Sequence, residues 1–252
     1  MTICLSFNAF AAKKHRYTKP VVLSLAPSIM LVNQSTHTVI VEENSTTVRP
    51  LASITKLMTA MVVLDQPHNM DVKVSNKKTV GELFTLMLVR SDNAAAETLS
   101  RTFLGNRNKF IAAMNQKAHE LGMESTSFSD PTGLLSANQS TAADIVKLVT
   151  AAGNYPAIRN AASLAQTDIS VWKGKQLQHV IVRNTNYRIL QDFNNIVISK
   201  TGFINLAGRC LTLLVEQHGE QFAVVVLGEP NVPAREATIR ALLHTHLQLT
   251  TK

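Results

Sequence analysis

Cysteine is almost absent from this chain, with two in 252 residues. Cys4 and Cys210 give no disulfide framework and no zinc-finger spacing. Cys210 falls in an apolar, strand-like stretch from Leu206 to Leu214, where a lone thiol serves as core filler. Aromatic residues make up only 5%, and the dispersed basic residues have none interleaved among them, so the net charge of +8 does not describe a nucleic-acid module. The excess fits attraction to an anionic polymer such as a carboxylate-rich bacterial wall, or simply a solvated surface. No apolar run approaches the roughly 20 residues a membrane-spanning helix needs, so no transmembrane anchor is expected in the mature chain. No repeat with a period of about 20 to 50 residues is found. The eight histidines are scattered, and His244 and His246, two positions apart, would point in different directions on a helix. Neither a metal nor a cofactor is expected.

What is present is ordinary for a globular protein: 45% apolar and 17% charged residues, with length enough for one sizeable core. At the start, Ile3 to Ala12 is small and apolar, Ala9-Phe10-Ala11 fits an A-x-A cleavage site, and Lys13, Lys14, His15 and Arg16 follow. The expectation is a signal peptide over 1–11, taking Cys4 with it, and a single domain over 12–252.

Ser28–Asn33 and Thr38–Glu42 read as two strands joined by a polar turn. Pro50 then precedes an apolar segment, Leu57 to Leu64, whose spacing suits a buried helix. Helices are expected over Leu83–Val89 and Ala94–Phe103. Another should open at Thr141-Ala-Ala-Asp144, which resembles a capping box with Asp in place of Glu. From about Thr167 the pattern turns strand-like: Asp168–Trp172, Leu177–Arg183, Asn195–Ser199, Gly208–Gln217 and Gln221–Leu227, with Lys173-Gly174 and His218-Gly219-Glu220 as tight connections. An amphipathic helix from Ala234 to about Leu247 closes the chain. The order suggests an α+β fold, with a helical lobe over about 65–165 inserted between early strands and late sheet, and a groove between lobe and sheet.

Three short motifs carry the chemistry: Ser53-Ile-Thr-Lys56, Ser91-Asp-Asn93 and Lys200-Thr-Gly202. S-x-x-K also occurs at Ser75/Lys78 and Ser170/Lys173, but only Ser53 opens a long apolar helix. Each motif has a plain alternative: Ser53 as a helix cap, Ser91 to Asn93 as the start of a helix, Lys200 to Gly202 as a strand-end turn. Their coincidence at suitable junctions favours chemistry. Serine needs a neighbouring base, and Lys56, three residues on, shares its helix face. Lysine acts as a base only where burial or nearby positive charge, which Lys200 could supply, favours the neutral amine. Ser91 can relay protons between Lys56 and a leaving amine, and Asn93 can orient substrate and hold Lys56. Lys200 and Thr201 suit a substrate carboxylate, Gly202 leaves room for an extended peptide against the strand, and the N–H groups of Ser53 and Phe203 would form an oxyanion hole.

These motifs, together with Pro50 to Ala60, Phe128-Ser-Asp-Pro-Thr-Gly-Leu134, Asn184-Thr-Asn186 and Lys200-Thr-Gly-Phe203, resemble the D-alanyl-D-alanine peptidases among the low-molecular-mass penicillin-binding proteins. Within them the chain is most similar to the small endopeptidases of the penicillin-binding protein 7 type. The resemblance implies a serine β-lactamase/DD-peptidase-like fold, with a five-stranded antiparallel sheet flanked by helices. It also implies attack by Ser53 on a D-alanyl carbonyl of peptidoglycan stem peptides or cross-links, acylation by β-lactam antibiotics, and a periplasmic location. No Glu-x-x-Leu-Asn segment lies between Ser91 and Lys200, which argues against a class A β-lactamase. A D-alanine carboxypeptidase and an inactive wall-binding homologue are the alternatives.

Overall fold

The computed structural model describes residues 26–75, 78–103, 105–173 and 176–251. The expected signal peptide over 1–11 and the Gly174 turn lie outside them. Ser28–Asn33 (β1) and Thr38–Glu43 (β2) form the early hairpin. A 3-10 turn over Ala52–Ile54 then runs into Thr55–Leu64 (α1), in which every residue but Leu64 is buried. A helical region follows: Val80–Val89 (α2), Asn93–Thr102 (α3), Arg107–Glu120 (α4), Ala142–Gly153 (α5) and Pro156–Ala162 (α6). The later elements are Gln166–Lys173 (β3), Gln176–Arg183 (β4), Tyr187–Asp192 (α7), Ile196–Ile204 (β5), Gly208–Gln217 (β6), Glu220–Glu229 (β7) and Val232–Ala241 (α8).

The central sheet has five strands in the order β2-β1-β7-β6-β5, each pair antiparallel. Seven segments carry a strand pattern in the sequence, and pairing sorts them: β3 and β4 stand apart as a two-stranded ribbon. Ile169 and Val182 turn one side of that ribbon inward, while Ile181 remains 63% exposed. Alternation marks a half-buried strand but does not say which sheet it joins. The His218-Gly219 connection is a two-residue turn with φ of 51° and 81°, the positive pair that a tight hairpin requires.

Apolar side chains fill both faces of the sheet. One core joins it to α1, α2 and α5, and the other packs it against α7, α8 and the π-helical turn Leu242–His246 that ends the terminal helix. Cys210 sits fully buried in β6 as the pattern implied. Helix starts follow local capping. Thr79 Oγ1 accepts from Glu82 N at 3.1 Å and Glu82 Oε2 accepts from Thr79 N at 2.8 Å, which starts α2 three residues before the expected Leu83. At α5 only half of the expected box forms: Thr141 Oγ1 accepts from Asp144 N at 3.1 Å. The Asp144 carboxylate instead binds the 125–126 loop, accepting from Ser125 N at 2.8 Å and Thr126 Oγ1 at 2.9 Å.

Candidate active site

The backbone that carries Ser53 is gripped from two sides. Ala52 has φ of 48°, a left-handed conformation that a residue with a Cβ adopts only when its surroundings impose it. Gly133, at φ of 84°, lies so close that a Cβ there would stand 1.8 Å from Ala52 O. On the other side a Cβ on Gly202 would stand 2.8 Å from Leu51 O and 3.2 Å from Ser53 N. The space that Gly202 leaves therefore admits the Ser53 turn against β5, a packing reason that the sequence reading lacked.

Beneath the serine, Lys56 is fully buried. Its Nζ donates to Ser53 Oγ at 2.8 Å, to Asn93 Oδ1 at 2.7 Å and to the Thr132 carbonyl at 2.6 Å. Burial lowers its pKa from 10.5 to about 7, with the charges of Asp130 and Asp92 pulling the other way. The lowering that the sequence required is present, but desolvation causes it rather than Lys200.

Asp130, buried and with a larger charge effect on Lys56 than Asp92, organises the loop behind the lysine. Its Oδ1 accepts from Thr132 N, Thr132 Oγ1 and Gly133 N at 2.5, 2.6 and 2.7 Å, and its Oδ2 from Leu135 N and Asn138 Nδ2 at 2.7 and 2.8 Å. Burial opposes its ionisation, yet the Thr132 hydroxyl and the backbone donors more than compensate and hold the carboxyl below its usual range.

Ser91 also has a positive φ, 61°, and ends the loop before α3, whose N-cap is Asp92. The contact found for its Oγ is from Lys200 Nζ at 2.9 Å, so Ser91 is tied to the second lysine where the sequence paired it with Lys56. Lys200 is fully buried and also donates to the Thr201 carbonyl at 3.0 Å. Burial first, then the neighbouring Lys56, hold its amine well below the usual lysine value. The motif Lys200-Thr-Gly202 lies inside β5 and not at its end, because the strand continues to Ile204. Thr201 Oγ1 donates to Thr185 Oγ1 at 2.6 Å.

Ser53, Ser91, Thr201, Gly202 and Phe203 all line one cleft of about 530 Å³, with Lys56 and Lys200 buried behind it and Asn93 reaching in to Lys56. Thr185, Arg209 and Arg235 line it too, and sequence reasoning gave them no role. Nor did it single out Asp130 or the Thr132 carbonyl. The runs Phe128 to Leu134 and Asn184 to Asn186 were the available signals, but roles that depend on a carbonyl or on packing leave no mark of residue type.

A serine and a lysine of lowered pKa one turn apart, facing a Lys-Thr-Gly edge strand across a cleft, define the serine acyl-transfer class to which DD-peptidases belong. Comparison agrees. The family described as D-alanyl-D-alanine carboxypeptidase matches over residues 15–82 and 66–231. The D-alanyl-D-alanine endopeptidase of Escherichia coli (strain K12) is 36% identical over 219 residues, covering 79% of this chain and 70% of that protein. The D-alanyl-D-alanine endopeptidase of Haemophilus influenzae is 34% identical over 235 residues, covering 83% and 79%. Among solved structures, the Streptomyces K15 DD-transpeptidase superposes with a TM-score of 0.82 at 26% identity, covering 92% of this chain and all of that one. The chain belongs to the D-alanyl-D-alanine carboxypeptidase family of serine DD-peptidases.

Proposed function

We propose that the protein is a D-alanyl-D-alanine endopeptidase that cuts peptidoglycan cross-links through an acyl-enzyme on Ser53. One observation carries the reading: Lys56 Nζ lies 2.8 Å from Ser53 Oγ and its pKa is lowered to about 7, so near neutral pH a share of the molecules carries the uncharged amine, which turns its lone pair to Ser53 Oγ and accepts the hydroxyl proton. As that proton moves, Ser53 Oγ bonds to the D-alanyl carbonyl carbon, and the oxyanion is held by the N–H groups of Ser53 and Phe203. Asn93 fixes Lys56. Lys200, protonated when the substrate carboxylate binds, donates to a lone pair of Ser91 Oγ, so Ser91 passes its own proton to the departing amine and takes that of Lys200 in return. When water then releases the acyl group, Lys56 gives its proton back to Ser53.

β5 is an edge strand, so an extended stem peptide adds to the sheet alongside it. Lys200 and Thr201 take the carboxylate of the leaving residue, and binding it draws a proton onto Lys200. Penicillins, which carry a carboxylate and a strained amide, acylate the same serine. The assignment of residues 12–252 to one catalytic domain, export into the periplasm behind a signal peptide, and attachment to an anionic wall belong to the same reading. Among the described residues no helix is long and apolar enough to cross a membrane.

Fluorescent penicillin should label the wild type and not Ser53→Ala; equal labelling of both would remove Ser53 as the nucleophile. Digestion of purified dimeric muropeptides then separates the two peptidase activities. Loss of dimers with gain of monomers is the expected result, whereas loss of terminal alanine alone would make the protein a carboxypeptidase.

A further inference from the structure

A second cavity, of about 580 Å³, opens where β1 and β6 end and β7 begins. Asn195, directly before β5, belongs to its lining, while Thr201 of the catalytic cleft lies further along that strand. At the rise of a strand, about 20 Å separate the two residues. Gly219 apart, every residue of the lining is polar, and most carry amides or hydroxyls. These groups are braced against one another. Thr150 Oγ1 donates to Gln34 Oε1 at 2.9 Å, and Gln34 N donates to the Gln221 carbonyl at 2.7 Å. Asn195 Nδ2 donates to the Glu216 carbonyl at 3.0 Å, and Glu216 N returns a bond to the Asn195 carbonyl at 2.8 Å. Glu216 Oε1 accepts from Arg159 Nη1 at 2.7 Å and from Gln221 Nε2 at 2.8 Å. The Arg159 guanidinium holds this carboxyl below its usual range. Among the described residues these bonds leave Glu216 Oε2, Gln221 Oε1 and the Ser35 hydroxyl unused.

The chemistry of the lining says what fits. Glu216 and Arg159 form an ion pair that is neutral as a unit, so no net charge selects an ion. The lining holds no apolar side chain to receive an aliphatic or aromatic ligand. It offers donors and acceptors side by side, as primary amides do, with a carboxylate oxygen to take hydroxyl protons. An N-acetylated sugar is the complement. Its acetamide presents one N–H and one C=O, and its ring hydroxyls both give and accept. Peptidoglycan stems are carried on strands of such sugars, so the polymer that brings a peptide to Ser53 brings this chemistry with it.

We propose that this cavity is a glycan exosite, which holds N-acetylated sugar of the wall polymer while Ser53 acts on the peptides. The choice of polymer rests on the peptidoglycan reading above. With no aromatic platform, affinity comes from a few net hydrogen bonds, and a short oligosaccharide should bind with a Kd of about 1 mM. On a strand of repeating sugars a weak site suffices, because tethering raises the local concentration of stems. Titration with a tetramer of β-1,4-linked N-acetylglucosamine, which has no peptide, tests the site apart from the bond that Ser53 cuts. Amide resonances of Gln34, Asn195 and Gln221 should shift, and the rate of Ser53 labelling by fluorescent penicillin should stay unchanged. Two variants follow, with thermal melts to confirm folding. Glu216→Gln keeps the shape and loses the charged acceptor, and Ser35→Leu places an apolar side chain in the lining and spares the Glu216 pair. Each should weaken tetramer binding about tenfold and raise KM on intact sacculi, with kcat/KM on sugar-free cross-linked peptide unchanged. No shift in the wild type overturns the exosite. Protection of Ser53 by the tetramer does so too, because it puts the sugar in the cleft, as does unchanged binding in both variants. Tetramer binding at the cavity in a protein that releases no monomers from sacculi overturns only the cross-link reading.

Discussion

The proton inventory of Lys56 decides when the serine can react. With its pKa at about 7, the acylation rate should climb as pH rises through 7, because only the uncharged amine accepts the Ser53 proton. A pH profile with benzylpenicillin checks this, and an acid limb near 10 would remove Lys56 as the base. Asp130 sets part of that value, since its charge favours protonated Lys56. Asp130→Asn should therefore move the acid limb to lower pH and lower the plateau, as the amine becomes a weaker base, while Asp130→Glu stays nearer the wild type. A stability loss alone would leave the limb in place. Ser53, Lys56 and Asn93 were legible in the sequence because a short spacing or a known motif marks them. The contact from Lys56 to the Thr132 carbonyl was not: it spans 76 positions and uses an atom that every residue has. Ser91 was legible as a site residue but not in its tie to Lys200, because sequence order says nothing of which lysine a loop will face.

Elements position these side chains through close packing, and two substitutions probe it. Gly133→Ala forces a Cβ into Ala52 O at a positive φ, and Gly202→Ala forces one toward Leu51 O. The first should cost roughly 3 kcal/mol or more, adding left-handed strain to overpacking, and the second about 1–3 kcal/mol. Both should slow acylation by more than their effect on melting explains, because the displaced atoms belong to the Ser53 turn; penicillin acylation measured beside thermal melts tests this. Thr79→Ala, by contrast, should cost about 1 kcal/mol through loss of the α2 cap and leave acylation unchanged. Most elements were readable from periodicity and punctuation. The extent of β5 was not, because Lys200 and Gly202 interrupt its apolar pattern where the cleft needs them. The β3–β4 ribbon was readable as strands, but its separation from the central sheet depends on pairing partners that alternation does not name.

At the scale of the whole molecule, burial of ionisable groups ties stability to pH. The folded chain holds Lys56 near 7 and Lys200 low, whereas unfolding returns them toward 10.5 and takes up protons. That uptake favours unfolding most at neutral pH and fades as pH rises, so these groups make the fold gain stability above pH 7. Cys210 acts in the opposite sense from about pH 9, since its thiol is held up to about 11 in the fold and would ionise near 9 once exposed. Urea melts should show a rise from pH 7 that becomes shallower above about 9, and Cys210→Ala should keep it steep up to about 10.5. A flat profile over that window would mean that both lysines stay charged in the fold. The net charge of +8 should in turn make binding to purified wall sacculi weaken as salt is raised. The vice around Ala52 and Ser53 reaches further still, for its two jaws belong to different halves of the molecule, one to the loop behind the helices and one to the sheet edge. The halves cannot swing apart about the nucleophile without letting it go. Any widening to admit bulky wall polymer must come from the outer rim, and the reacting atom stays a fixed pivot while its surroundings adjust.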